Sequence, residues 1–225
     1  EQRGDNRLGV EAMELFDAYG IPTPEGEVVD DPTAAAEVAA RIDGDVVMKI
    51  VSPGILHKSD IGGVRVGVSA DDVADTYEDL VSRAKSYQPD ARILGVQVQE
   101  MLDLDEGVET IVGSHRDPQF GPLVMFGLGG VFVEVLEDTT FRLAPVAAGE
   151  AEQMTADIDA APLLRGARGR TPVDLAATVD AIRRVSQLVA DFPSIVELDV
   201  NPLVATPDGV RAVDLLLTVD PDQLQ

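Results

Sequence analysis

Residues Val46–Val68 read VVMKIVSPGILHKSDIGGVRVGV, and the order strand, loop, strand in this stretch frames the rest of the chain. Val46-Val47-Met48-Lys49-Ile50-Val51 is apolar but for one lysine, and alternation resumes at Val64-Arg65-Val66-Gly67-Val68, the pattern of two strands. Between them Ser52-Pro53-Gly54 breaks the first strand and His57 stands beside Lys58-Ser59-Asp60. Gly62-Gly63 then offers backbone N–H groups that could approach an anion closely. A strand lysine can extend its amine to solvent, and a lone loop histidine is usually just solvated. Together they favour a phosphate, because a buried ammonium requires an anionic partner and no carboxylate lies on the same strand. Phosphate handling is the first functional expectation.

The composition narrows the class. A chain of 225 residues can bury a proper core, as one large domain or two small lobes. It has no cysteine, which excludes disulfides and thiolate metal sites. Acidic residues outnumber basic ones, 41 to 17, for a formal charge of −24, and such a surface repels nucleic acid. Only three lysines, Lys49, Lys58 and Lys85, stand against fourteen arginines, as in a protein from a salt-loading, halophilic cytoplasm. No apolar run reaches membrane-spanning length and no charged-then-apolar leader precedes Leu8, so a cytoplasmic protein without membrane contact is expected. A start at Glu1 fits a processed or trimmed chain, or one piece of a longer polypeptide.

Outward from the central stretch, Asn6 to Tyr19 carries a helical stripe (Leu8, Ala12, Leu15, Phe16, Tyr19) stopped by Gly20 and Pro22. Glu27-Val28-Val29 reads as a short strand, and Asp31-Pro32 as the N-cap and first residue of an alanine-rich helix. Ser69 is placed to cap a helix from Ala70 to Tyr87. Strands are expected at Arg92–Met101 and Gly107–Gly113, with a hinge at Asp103-Leu104-Asp105-Glu106. Further strands follow at Pro122–Phe126, Val131–Val135 and Phe141–Ala144. Phe126-Gly127-Leu128-Gly129-Gly130 is not a dinucleotide fingerprint, since a strand follows where a phosphate-binding helix should start. A tight glycine turn and a functional loop both fit it. Helices at Glu150–Ile158 and Val173–Ala190 (Ala176, Val179, Ile182, Val185 and Val189 on one face) precede two closing strands, Ser194–Val204 and Gly209–Leu217. Strands that are often consecutive indicate an α+β fold.

In the last hairpin Glu197, Asp199 and Asn201 alternate with Leu198 and Val200, which places three polar side chains on one strand face. A turn centred on Pro207-Asp208 makes opposed residue numbers sum to 415, so Asn201 faces Asp214. Directly opposed residues lie close enough for two oxygens to share a cation. Mg²⁺ takes oxygen ligands and keeps waters and substrate phosphates. A hydrogen-bonded surface pair is the plainer alternative, but beside a phosphate loop the metal is favoured.

Several segments in order resemble the nucleotide-binding β subunit of ADP-forming acetyl-CoA synthetases, members of the ATP-grasp group. They are Lys49–Pro53, the His57–Val64 run HKSDIGGV, Arg116–Pro122 (RDPQFGP), Phe126–Gly130 and Glu197–Leu203 (ELDVNPL). The resemblance implies an ATP-grasp fold of two α+β lobes with nucleotide between them, the smaller about 21–101 and the larger about 102–225 with the N-terminal helix. It implies ATP/ADP and Mg²⁺ as cofactors. Lys49 would contact phosphate, Gln99, Glu100, Met101 and Leu102 the adenine edge, chiefly by backbone and Glu100, and Glu109 the nucleotide. Asn201 and Asp214 would hold Mg²⁺, with Asp199 nearby. The partner would be a CoA-binding α subunit or fused domain, making the chain part of a hetero-oligomer or of a longer polypeptide. His57 would take a phosphoryl group from that partner and pass it to ADP, with Gly54, Gly62 and Gly63 letting the loop swing. A non-catalytic nucleotide sensor and a stand-alone ATP-grasp ligase are the alternatives, and His57 counts against the sensor, which needs no phosphoryl acceptor. His115 carries no expected role.

Overall fold

A computed structural model describes residues 7–9, 12–55, 58–103, 107–130 and 138–223. The chain divides into two units, one of Glu1–Thr23 with Asp103–Gln225 and one of Pro24–Leu102. Among the described residues no helix is long and apolar enough to cross a membrane.

The Pro24–Leu102 unit is a four-stranded antiparallel sheet in the order β2 (Gly26–Val29), β5 (Gly95–Glu100), β3 (Val46–Val51), β4 (Val64–Val68). Helices α2 (Pro32–Ala39) and α3 (Val73–Tyr87) cover one face. Val46, Met48 and Ile50 of β3 and Val96 and Val98 of β5 point to them and form a core with Val38, Val73, Tyr77, Leu80 and Ala84. The helical residues of α3 recur every three or four positions, the spacing of one helix face. Asp31 caps α2 as expected, its carboxylate accepting from the Thr33 and Ala34 N–H groups at 2.8 and 2.9 Å. Ser69 does not cap in the expected way. Its hydroxyl donates to the Asp72 carboxylate at 2.7 Å, and a 3₁₀ turn, Ala70–Asp72, precedes α3.

The other unit holds a sheet in the order β1 (Arg7–Leu8), β11 (Leu215–Val219), β9 (Ile195–Thr206), β6 (Val108–Asp117), β7 (Gly121–Leu128), β8 (Thr139–Leu143), with β10 (Gly209–Ala212) also paired to β9. Helices α4 (Ala148–Asp157) and α6 (Leu175–Asp191), with the short α5 (Ala161–Leu164) between them, supply Met154, Ile182, Val185, Leu188 and Val189 to a core shared with Val112, Phe126, Leu198 and Val200. Ala176, expected on the apolar stripe of α6, is exposed, and Thr178 and Ala181 are buried instead.

Three other expectations shift. The N-terminal helix is shorter, Met13–Ala18 (α1), because Arg7–Leu8 pairs with Thr218 and Leu217 at the open edge of β11. The strand expected to end at Gly113 runs on to Asp117, carried by pairing with β7 as far as Gly121, so His115 is an exposed strand residue. The last expected strand breaks at Val213-Asp214 into β10 and β11. The strand expected at Val131–Val135 and the hinge residues Leu104, Asp105 and Glu106 lie outside the described residues.

Candidate functional site

The smaller sheet has a polar face turned away from its helices. Lys49 opposes Gln97 on β5 and Val64 on β4, while Gln99 opposes Val47 on β3 and Gly26 on β2. Alternation that sends Met48 and Ile50 into the core puts Lys49, Gln97 and Gln99 on the opposite face. All three are buried, with 6%, 4% and 1% of their surfaces accessible. Among the described residues the side-chain oxygen of Gln99 and the Ser52 hydroxyl, also buried, find no hydrogen-bond partner. A buried ammonium and an orphaned amide acceptor each cost free energy unless something polar meets them. Gln97 was not singled out from the sequence, although the run Gly95-Val96-Gln97-Val98-Gln99 places polar residues twice on one face of a central strand.

Gln99 is corrected in one respect. Its backbone sits inside the ladder between Gly26 and Val47, so only its side chain is left for a ligand. The Glu100 N–H likewise donates to the Glu25 carbonyl at 2.8 Å and is not left for a ligand, and the Glu100 residue is half-buried. Met101, exposed, and Leu102, half-buried, follow the last residue of the strand.

The segment after β3 enters the core at Ile55, 3% accessible, whose N–H donates to the Ser52 carbonyl at 3.2 Å. His57, the expected phosphoryl acceptor, lies outside the described residues with Leu56. The turn that follows uses its own amides. Gly62 and Gly63 donate to the carbonyls of Ser59 and Lys58 at 3.0 and 2.7 Å, so the expectation that these N–H groups meet an anion is corrected. Ring closure of the turn consumes both donors.

In the larger sheet the pairing sum of 415 holds from Gly209↔Thr206 to Thr218↔Glu197. Across the break between β10 and β11 the Asn201 N–H donates to the Asp214 carbonyl at 3.1 Å, and the Val213 N–H to the Pro202 carbonyl at 3.0 Å. Asn201 and Asp214 therefore face each other as the spacing predicts. Leu198 and Val200 are buried, while Glu197 is exposed and Asp199 and Asn201 are half-buried. Burial pushes the Asp199 carboxyl up to about 6, with the charges of Glu197 and Asp214 adding to it. Such a carboxylate is short of positive charge.

The glycine stretch after β7 belongs to this group. The Gly130 N–H donates to Asn201 Oδ1 at 3.1 Å, and the Gly129 N–H to the Glu109 carbonyl at 2.8 Å. Gly130 has a φ of +66°, and a Cβ there would overlap the Glu109 carboxylate. A Cβ on Gly129 would run into the Thr110 backbone. The stretch is thus a tightly packed turn that also orients Asn201 and Glu109, a role that chain order alone does not reveal.

These donors fit a hard cation. Among the described residues no three His, Cys, Asp or Glu side chains are grouped to hold a metal. Asn201 and Asp214 would hold the ion with Asp199 beside them, and phosphate oxygens and water would complete its shell.

The ATP-grasp domain family matches residues 1–219. The β subunit of an ADP-forming acetate–CoA ligase from Pyrococcus furiosus is 47% identical over 94% of this chain and 92% of its own length. This chain belongs to the ATP-grasp family, with the β subunits of ADP-forming acetate–CoA ligases. An Archaeoglobus fulgidus ADP-forming acetate–CoA ligase is 41% identical over 97% of this ATP-grasp chain, which spans 32% of that longer protein. The fold matches an acetyl-coenzyme A synthetase of Ca. Korarchaeum cryptofilum, solved with coenzyme A, Ca-AMPCP and HgCl⁺, at a TM-score of 0.91 and 41% identity, over 95% of this chain and 93% of that one. A Se-Met form of the same synthetase carries coenzyme A and Mg-AMPPCP, its phosphohistidine segment pointing towards the nucleotide-binding site (TM-score 0.82, 37% identity, 95% and 92% covered).

Proposed function

We propose that this chain is the nucleotide-binding phosphotransfer component of an ADP-forming acetyl-CoA synthetase. A CoA-binding α partner, separate or fused, handles the acyl group and CoA and presents a phosphoryl group. His57 takes it, and ADP accepts it from His57 to give ATP. In the first transfer a P–N bond to His57 forms as the partner's bond to phosphorus breaks. In the second that P–N bond breaks as the terminal oxygen of ADP bonds to phosphorus. Imidazole is nucleophilic near neutral pH, and phosphohistidine is reactive enough to donate.

The observation that carries this reading is the Asn201–Asp214 pair beside Asp199, in a chain that matches such a β subunit nearly end to end. Mg²⁺, held by Asn201 and Asp214, would offset phosphate charge. Lys49 binds phosphate oxygens from the buried face of the smaller sheet, and Gln99, Glu100, Met101 and Leu102 line the base. Glu109 meets the nucleotide beside Gly130, and Gly130 holds Asn201 in register for the ion. Gln97, opposite Lys49, orients the lysine. Preorganised charge and position supply most of the acceleration in such a transfer.

The acidic surface and the three lysines support a salt-rich cytoplasm as the place of action. Replacing His57 by Ala is expected to abolish ATP formation by the assembled synthetase while leaving acyl phosphate exchange on the partner intact. Undiminished ATP synthesis would remove His57 from the reaction.

A further inference from the structure

We propose that Arg65 is a positioning residue of the phosphoryl relay, its guanidinium fixing the turn by which the chain after His57 rejoins the sheet; this rests on the relay reading above. The turn spans Lys58–Gly63 and is closed by the Gly63 N–H on the Lys58 carbonyl at 2.7 Å. It is tied to β3 by the Ile50 N–H, which donates to the Gly63 carbonyl at 2.9 Å, one residue beyond Lys49. Arg65 opposes Met48, on the sheet face that carries α3. From there its Nη1 donates to the carbonyls of Gly62 and Val64 at 2.9 and 3.1 Å, and its Nη2 to Asp79 Oδ2 at 2.9 Å. The same carboxylate oxygen accepts from Arg83 Nε at 2.7 Å.

A staple between β4 and α3 would need only the Arg65–Asp79 pair. Two further bonds go to backbone carbonyls at the end of the turn, one of them on Gly62, whose φ of +65° turns the chain back towards the strand. Asp79 anchors the fork on the helix, and Arg83 and Arg65 hold its carboxyl below the ordinary range. The planar guanidinium can serve two carbonyls and a carboxylate at once, which an ammonium cannot do in fixed geometry. The turn begins at the residue after His57, so it fixes the placement of one end of the chain that carries the imidazole. Transfer rates are steep in that placement, and an error of about 1 Å can cost roughly a hundredfold.

The test follows label from γ-³²P Mg-ATP to His57 in single turnover, alongside nucleotide affinity and hydrogen exchange of the Gly63 amide. Arg65→Gln should slow transfer at least about tenfold, raise Gly63 exchange about fivefold or more, and leave nucleotide affinity unchanged. Arg65→Lys should recover part of the rate, and Asp79→Asn should fall between wild type and Arg65→Gln. Labelling of His57 at the wild-type rate in Arg65→Gln overturns the assignment alone. If wild-type His57 takes no label, the relay reading falls and the assignment with it. Should Arg65→Gln lose its fold, shown by lost nucleotide affinity, Arg65→Lys and Asp79→Asn decide, and wild-type transfer and exchange in both overturn the proposal.

Discussion

The two units use the same construction, an antiparallel sheet with helices on one face, and opposite electrostatics on the other. In the smaller unit that face carries a buried lysine and two buried amides. In the larger it carries Glu197, Asp199 and Asn201 in a row, with Asp214 facing Asn201. A buried ammonium suits an anionic ligand, and a row of carboxylates suits a cation. The ligand proposed above, a metal nucleotide, offers one group of each kind, phosphate oxygens and a divalent ion.

Substitutions on the two faces should therefore fail in different ways. Lys49→Met should cause the largest loss, weakening both Mg-bound and metal-free nucleotide by roughly thirtyfold or more, the range for removing one partner of a buried charge pair. Calorimetry would measure the loss, and unchanged affinity would take Lys49 out of the phosphate site. Asp214→Ala should weaken Mg-nucleotide about tenfold while leaving metal-free nucleotide unaltered. Equal losses for both forms would erase the distinction between the faces.

Gly130→Ala tests the support of the acidic face. The left-handed backbone and the overlap with Glu109 should destabilise the fold by about 1–3 kcal/mol, with Mg-nucleotide affinity falling more than metal-free affinity. A wild-type melting temperature would mean that the turn yields without cost.

The smallest effect is a pH dependence. The Asp199 carboxyl titrates at about 6 folded against 3.8 in its unperturbed state, so its favourable term is complete below the lower value and is lost as pH rises through the higher one. Asp199→Asn should stabilise the metal-free chain at pH 8, by on the order of 1–2 kcal/mol after allowance for partial exposure. The gain should vanish by pH 4. A gain of equal size at both pH values would show that ionisation is not its source.

Much of the larger face is legible in the sequence, because a two-residue turn fixes a register arithmetically and alternation fixes the face. The facing of Asn201 and Asp214 needed only the position of Pro207-Asp208. The break at Val213-Asp214 was not legible, since Leu203 to Leu217 reads as an unbroken hairpin. Likewise the stripe Leu8, Ala12, Leu15 suits a helix, yet the edge of β11 draws Arg7 and Leu8 into the sheet. Tertiary pairing overrides a local pattern there. Gly130 was ambiguous for the same reason, as its neighbours Glu109 and Asn201 are far away along the chain. The Gly62 and Gly63 amides could be suspected of binding an anion, but the distance that closes the turn onto Lys58 is set by the fold.

The most direct measurement is to supply labelled acyl phosphate to the chain together with its CoA-binding partner and locate the phosphorus. Acid-labile label on His57 that disappears into ATP when ADP is added is the predicted result. ATP formed at full rate with no label ever passing through His57 would contradict the relay.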